Sequence, residues 1–194
     1  MDRDGVINEM IGADDGPDSP RSVEEFQLVP GAARGIRSLN ELGLPVVVVS
    51  NQPGVAKGKL LPEHLAAITE RMKSELLAQL AVLDGIYYCM HHPQAVVAEY
   101  QANCECRKPK SGLLTRAARE MNLELDGSYM VGDQPRDVIA GKTVGCTTLL
   151  VGSDLGSRVD YGADHLCSDL DAAARLIAEL EATGAGRRDE GRGT

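Results

Sequence analysis

The chain has no tryptophan, a single phenylalanine and no long apolar segment. With aromatics at 3 %, the core of these 194 residues must be built from Val, Leu, Ile and Ala. The length suits a single domain with one good-sized core. No apolar run approaches the roughly 20 residues of a membrane span. The N-terminus is acidic and lacks an apolar stretch, so no signal peptide is expected. Positive charge is also scarce. A formal charge of −9 argues against nucleic acid, whose phosphate backbone calls for a basic face. A small phosphate ester remains a possible ligand if a few basic residues are gathered locally. The five cysteines are an odd set, three of them clustered beside histidines. That favours a reduced cytosolic protein with a metal site over a disulfide framework.

Met10 to Arg21 is rich in Gly, Pro, Asp and Ser and reads as a loop. A helical pattern runs from Pro30 to Leu42 and is closed by Gly43. Pro45 to Val49 is a continuous β-branched run, as in a strand buried on both faces of a parallel sheet. Pro62 opens a long helix with Leu65, Ile68, Met72, Leu76 and Leu80 on one face. Further strands are expected at 85–88, 128–131, 146–151 and 164–167. Helices are expected at 111–121, 135–142 and 169–181. Ser168 with Asp171 predicts a capping box for the last helix. A Gly/Arg-rich tail, 183–194, is expected to be disordered beyond a domain of residues 1–182. Alternating strands and helices predict an α/β three-layer, Rossmann-like sandwich with a mostly parallel sheet.

In such sheets ligands sit beyond the carboxyl ends of the strands. Polar groups fall there repeatedly: Ser50-Asn51-Gln52, Arg107-Lys108 and Gly132-Asp133. They can converge with Asp2 and Asp4 of the opening Asp2-Arg3-Asp4-Gly5. Taken singly, each has an ordinary alternative: an acidic turn, a strand-end serine, a solvated charge pair. Taken together they suit phosphoryl transfer. A carboxylate attacks without a base, being ionised at neutral pH. Mg²⁺ takes oxygen ligands, here Asp2, Asp133 and one group of Asp4. Lys108 would offset phosphate charge, Ser50 would donate to a phosphoryl oxygen, and Asp4 would carry the proton.

Cys89-x-His91 and Cys104-x-Cys106 offer three thiols and an imidazole, the number structural zinc takes. In extended chain, residues i and i+2 point the same way, so each pair can grip one ion. The same residues also read as buried free thiols beside a solvated histidine pair, with His92 as a competing ligand. Cys146 and Cys167 fall in predicted strands and read as small core residues.

Asp2-x-Asp4-Gly5, Ser50-Asn51, Lys108 and Gly132-Asp133-x-x-x-Asp137 together resemble the motifs of haloacid-dehalogenase-type phosphatases. Val48 to Gly58, Tyr87 to Pro93, Cys104 to Pro109 and Tyr129 to Asp133 resemble one subfamily. It is that of heptose-bisphosphate and histidinol-phosphate phosphatases. The resemblance runs from Asp2 to about Leu180. It implies a fold without a separate cap domain and removal of the 7-phosphate of D-glycero-D-manno-heptose 1,7-bisphosphate. Asp2 would be the nucleophile and form an aspartyl-phosphate, with Asp4 as acid and then base. Asp2, the backbone carbonyl of Asp4 and Asp133 would hold Mg²⁺. Ser50 and Lys108 would steady the phosphoryl group. Arg107, Asn51, Gln52 and Lys57 would recognise substrate, and Asp137 would orient the metal side or Lys108. Cys89, His91, Cys104 and Cys106 would bind a structural Zn²⁺ that positions Arg107 and Lys108.

The partner is then a small phosphorylated sugar and the protein a monomer. Histidinol-phosphate phosphatase, a receiver-like phosphate-accepting domain and an inactive binding relative are the alternatives. The 12–20 loop is longer than in the best-known heptose enzymes, and Gln134 stands where lysine is usual. In the family the nucleophile ends a central strand, whereas here only Met1 precedes Asp2. The expectation is a gap in the middle of the sheet and a weakened chain.

Overall fold

The computed structural model describes residues 1–13, 16–152 and 161–184. It is an α/β sandwich in three layers. In chain order the elements are β1 (Ile11–Ala13), β2 (Gly16–Asp18), α1 (Ala32–Glu41), β3 (Val47–Asn51), α2 (Pro53–Ala56) and α3 (Pro62–Leu77). Then come β4 (Gly85–Cys89), α4 (Gly112–Met121), β5 (Tyr129–Gly132), α5 (Pro135–Thr143), β6 (Thr147–Val151), β7 (His165–Cys167) and α6 (Leu170–Thr183).

β3 pairs in parallel with β4, and β5, β6 and β7 form a second parallel set. Side chains alternate across the sheet. Val46 and Val48 pack in a core with Ile36 and Leu39 of α1, Ile68 and Met72 of α3, and Ala174 and Ile177 of α6. Val49 and Met130 face the other way, against Leu113 and Leu114 of α4 and Ala140 of α5. Burial on both faces explains why β3 reads as an unbroken β-branched run. The predicted stripe of α3 is buried at Leu65, Ile68, Met72 and Leu76, but the helix ends at Leu77, and Leu80, expected on the same face, is exposed beyond it. Each such side chain contributes about 1.5–3 kcal/mol on leaving water.

Met1 and Asp2 join the two parallel sets. The Val49 amide donates to the Met1 carbonyl at 2.9 Å, and the Asp2 amide donates to the Val131 carbonyl at 2.9 Å. The Met1 ammonium donates to the Val47 carbonyl at 2.7 Å. Behind them lies a cavity of about 160 Å³, bounded by Met1, Val47, Val49, Leu114, Val131 and Ile177 among others. The gap expected in the sheet is this cavity, and Met1–Asp2 span its carboxyl end.

Several local expectations are corrected. The 10–21 stretch is not all loop: β1 and β2 pair antiparallel, Ile11 opposite Asp18. Three-residue strands are too short to show alternation. The last helix is capped by Asp169, whose side chain accepts from the Ala172 amide, and not by Ser168. Asp171 instead pairs with Arg34 and Arg175. That helix runs to Thr183, and the rest of the predicted tail, 185–194, lies outside the described residues. The short α2 and a 3₁₀ turn at Ala98–Tyr100 were not foreseen.

Candidate active site

Asp2, Ser50 and Asp133 all stand at carboxyl ends in the middle of the sheet. Asp2 is buried. Its Oδ1 accepts the Arg3 amide at 2.8 Å, and its Oδ2 lies 3.0 Å from Lys108 Nζ. Lys108 Nζ is also 2.6 Å from Asp137 Oδ1. The lysine is held by Asn51. The Asn51 amide donates to the Lys108 carbonyl and its oxygen accepts the Lys108 amide, both at 3.0 Å. Burial works against charge on Asp2. The Lys108 ammonium, the Ser50 hydroxyl and the Arg3 amide outweigh it, and the Asp2 carboxyl falls below its ordinary range. Burial likewise works against Lys108, and the Asp2 and Asp137 carboxylates outweigh it upward. Asp137 is pushed up to about 6 by burial and by the charge on Asp2, with Lys108 opposing. Asp137 also closes a capping box on α5, accepting the Gln134 amide at 3.1 Å.

Asp4 points elsewhere. Its Oδ1 accepts Arg3 Nε at 3.0 Å, Arg3 Nη2 at 2.8 Å and Asn8 Nδ2 at 3.0 Å. Its Oδ2 accepts Gln52 Nε2 at 2.6 Å and the Ser19 hydroxyl at 2.9 Å. Gln52 also donates to Ser50 at 3.1 Å and accepts from Arg3 at 3.1 Å. Asn51 and Gln52, expected against substrate, thus spend their amides bracing Lys108 and Asp4. Sequence reading passed over Arg3, Asn8 and Ser19. Arg3 is fully buried, with its guanidinium 5.5 Å from the centre of the Tyr88 ring. A charged residue wedged between two site aspartates was the available signal, because arginine is rarely buried unpaired.

The acidic side of the site fits a dication. One carboxylate oxygen from each of Asp2, Asp133 and Asp137 lies within 4.8 Å of the others. Burial pushes the Asp133 carboxyl up; Gln134 offsets part of this and the charge on Asp2 adds to it. Gln134 Nε2 donates to Asp133 at 2.9 Å, which occupies the side chain found in place of lysine. Gly5 makes room for this corner. It has φ +75°, and a Cβ there would lie 2.5 Å from Asp133 Oδ2. The outer rim is basic: Arg107 is half-buried, Lys57 and Arg136 are exposed, and His92 lies near enough to be held down by Arg107 and Lys57 after burial.

Cys89, His91, Cys104 and Cys106 converge at the end of β4. Cys106 Sγ is 3.2 Å from both Cys89 Sγ and Cys104 Sγ and 3.4 Å from His91 Nδ1. Cys89 Sγ is 3.6 Å from Cys104 Sγ and 3.9 Å from His91 Nδ1. The sulfurs are unbonded to one another. Edges of this length fit a tetrahedron with ligand bonds of about 2.0–2.3 Å. Burial and the neighbouring thiols push Cys89 upward, a cost that a bound cation reverses. Arg107 Nη1 donates to the His91 carbonyl at 3.3 Å, tying the rim to this cluster.

A parallel α/β sheet whose centre presents paired aspartates, with a buried lysine and a third aspartate, defines a haloacid-dehalogenase-like hydrolase. A family model described as "HAD-hyrolase-like" matches residues 105–173. The chain is 36 % identical over 173 residues to a D-glycero-β-D-manno-heptose-1,7-bisphosphate 7-phosphatase of Yersinia pestis, covering 88 % of this chain and 89 % of that one. The enzyme of the same name from Photorhabdus laumondii is 34 % identical over 184 residues, 93 % of this chain and 95 % of its own. A crystal structure of D,D-heptose 1,7-bisphosphate phosphatase from B. bronchiseptica, complexed with magnesium and phosphate, superposes with a TM-score of 0.78. Its identity is 32 %, over 92 % of this chain and 96 % of that one. The chain belongs to this family of phosphoric monoester hydrolases within the haloacid-dehalogenase-like proteins.

Proposed function

We propose that the protein hydrolyses the 7-phosphate of D-glycero-D-manno-heptose 1,7-bisphosphate through an aspartyl-phosphate on Asp2. The observation that carries the mechanism is the setting of Asp2. One oxygen is fixed by a backbone amide and the other faces Lys108, so the carboxylate is charged, rigid and aimed. The substrate is drawn from the names of the relatives.

Asp2 attacks phosphorus. The bond from phosphorus to the sugar oxygen breaks, and that oxygen takes its electron pair and then a proton from Asp4. In the second step Asp4 accepts a proton from water, which attacks the aspartyl-phosphate and frees phosphate and Asp2. Ser50 and Lys108 steady the equatorial oxygens. Arg107 and Lys57, on the basic rim, meet the rest of the sugar phosphate, with Asn51 and Gln52 supporting from behind. Mg²⁺ held by Asp2, Asp133 and the Asp4 carbonyl would offset the repulsion between carboxylate and phosphate. Asp137 keeps Lys108 in place.

Zn²⁺ on Cys89, His91, Cys104 and Cys106 is structural and fixes the loop that carries Arg107 and Lys108. The enzyme works as a monomer in the cytosol, where such thiols stay reduced.

The test is phosphate release from the heptose bisphosphate, with histidinol phosphate as the competing substrate. Asp2→Asn is expected to abolish release. Activity that survives it overturns the mechanism, and a higher kcat/KM on histidinol phosphate overturns the substrate.

A further inference from the structure

We propose that His92 is a specificity-determining residue, whose Nε2–H joins Lys57 and Arg107 in holding the substrate phosphate that is not transferred. The inference rests on the phosphatase reading above and deepens it by assigning a second phosphate subsite.

His92 is left over by the zinc cluster. The groups that converge there are Cys89, His91, Cys104 and Cys106, and His92 is not among them. Its ring is nonetheless fixed. The Gln94 amide donates to His92 Nδ1 at 3.1 Å, so Nδ1 offers its lone pair and the ring proton sits on Nε2. Turning the ring over would break that bond. Nε2–H has no acceptor among the described residues. The backbone beneath it is closed as well. The His92 amide donates to the Tyr100 carbonyl at 3.0 Å, and the Ala95 amide donates to the His92 carbonyl at 3.2 Å.

The fold brings this donor beside two cations. β3 and β4 are parallel neighbours, so the segments leaving their carboxyl ends emerge on the side of the sheet that carries Asp2. Lys57 lies on the first segment, just after α2, and His92 on the second. The Val96 and Val97 amides both donate to the Ala56 carbonyl, at 2.9 Å and 3.1 Å, which pins the loop after His92 against the residue before Lys57. Arg107 Nη1 donates to the His91 carbonyl at 3.3 Å, next to His92 in the chain. The charges that act on the His92 ring are those of Arg107 and Lys57, both positive, with no carboxylate set against them. Like charges gathered without a counter-ion repel one another, and an anion seated among them removes that cost.

The anion is a phosphate set apart from the reacting one. Asp2 and Lys108 are buried, whereas Lys57 is exposed and His92 and Arg107 are half-buried. The rim therefore lies outside the reaction centre, where the far end of a bisphosphorylated sugar comes to rest. Lys57 supplies a point charge, Arg107 a planar fork and His92 a single directed N–H.

The experiment uses the full chain with Mg²⁺ and Zn²⁺ supplied. It compares heptose 1,7-bisphosphate with heptose 7-phosphate, which lacks the second phosphate. Two variants separate the two ring nitrogens. His92→Asn keeps an acceptor for the Gln94 amide and loses the reach of Nε2; His92→Gln keeps the far donor and loses the near acceptor. His92→Asn is expected to raise KM for the bisphosphate by about tenfold, the loss of one hydrogen bond to a charged group, with kcat little changed and the 7-phosphate unaffected. His92→Gln should stay close to the parent on both esters. A His92→Asn variant that matches the parent, or one that loses equally on both esters, overturns the proposal. So does a defect in His92→Gln alone, which would make His92 a turn residue. The parent protein separates this from the underlying reading. If it hydrolyses both esters with the same KM, no second phosphate is held and the His92 assignment falls while the phosphatase stands. If it hydrolyses neither, both readings fall.

Discussion

Lys108 Nζ lies 3.0 Å from Asp2 Oδ2, and both side chains are out of solvent. A buried ion pair is costly to form and more costly to halve, because the survivor is left charged without water. Here the lysine also answers Asp137, 2.6 Å away. Lys108→Met is therefore expected to abolish phosphate release and to lower metal-free stability by about 3–5 kcal/mol. Chemical denaturation measures the second effect. Mg²⁺ should recover part of the stability and none of the activity, since it neutralises Asp2 without replacing the donor to phosphate.

Gly5 tests the acidic corner from its other side. A methyl at this position would press on Asp133 at 2.5 Å, and the backbone sits at φ +75°, where L residues are strained. Gly5→Ala is expected to weaken Mg²⁺ binding, seen as a higher Mg²⁺ concentration for half-maximal activity. Asp133→Asn should raise that concentration as well. Unchanged Mg²⁺ dependence in Gly5→Ala would mean that Asp133 is not a metal ligand.

The zinc reading predicts a stoichiometry and a direction. Purified protein should carry about one Zn²⁺ per chain, and Cys106→Ser should lose it. Removing the ion with a chelator should lower Tm and slow turnover, because Arg107 and Lys108 follow the cluster in sequence. Adding Zn²⁺ back should restore both. Protein without bound metal and with full activity would overturn the assignment.

Much of the fold was legible because burial leaves a pattern in sequence. The apolar run before Ser50 is continuous because β3 is covered on both faces, and the spacing of Leu65, Ile68, Met72 and Leu76 follows from one buried helix face. That the aspartates and Lys108 come together was legible through their order at and after strand ends. Residues that act by gripping another side chain were not. Ser19 reaches Asp4 across 15 positions in a stretch rich in Gly, Pro and Asp, and no local periodicity marks that contact. Arg3 was hidden by the motif around it, since its role is seen only when its burial is known. The Asp169 cap shows a smaller version of the same problem. Ser168 and Asp169 are both good caps, and only the backbone geometry selects between them.

The amine of Met1 gives a prediction with a sign. It is buried beside the 160 Å³ cavity, and burial, with Lys108 adding, lowers it from 8.0 to about 6. Between those values the unfolded chain binds a proton that the folded chain does not. Stability must then rise with pH from about 6 to 8, by on the order of 2–3 kcal/mol for this group. Above 8 the amine is neutral in both states and costs nothing; below 6 the cost is complete. Urea denaturation of the 194-residue chain across this range measures the slope. The same chain with four to six apolar residues ahead of Met1 has no charged amine there, and its added segment can pair with β3 and β5 and fill the cavity. The extended chain should therefore be more stable and should lose this part of the pH slope between 6 and 8. An extension that leaves both stability and slope unchanged would show that the cavity beside Met1 does not accept a strand.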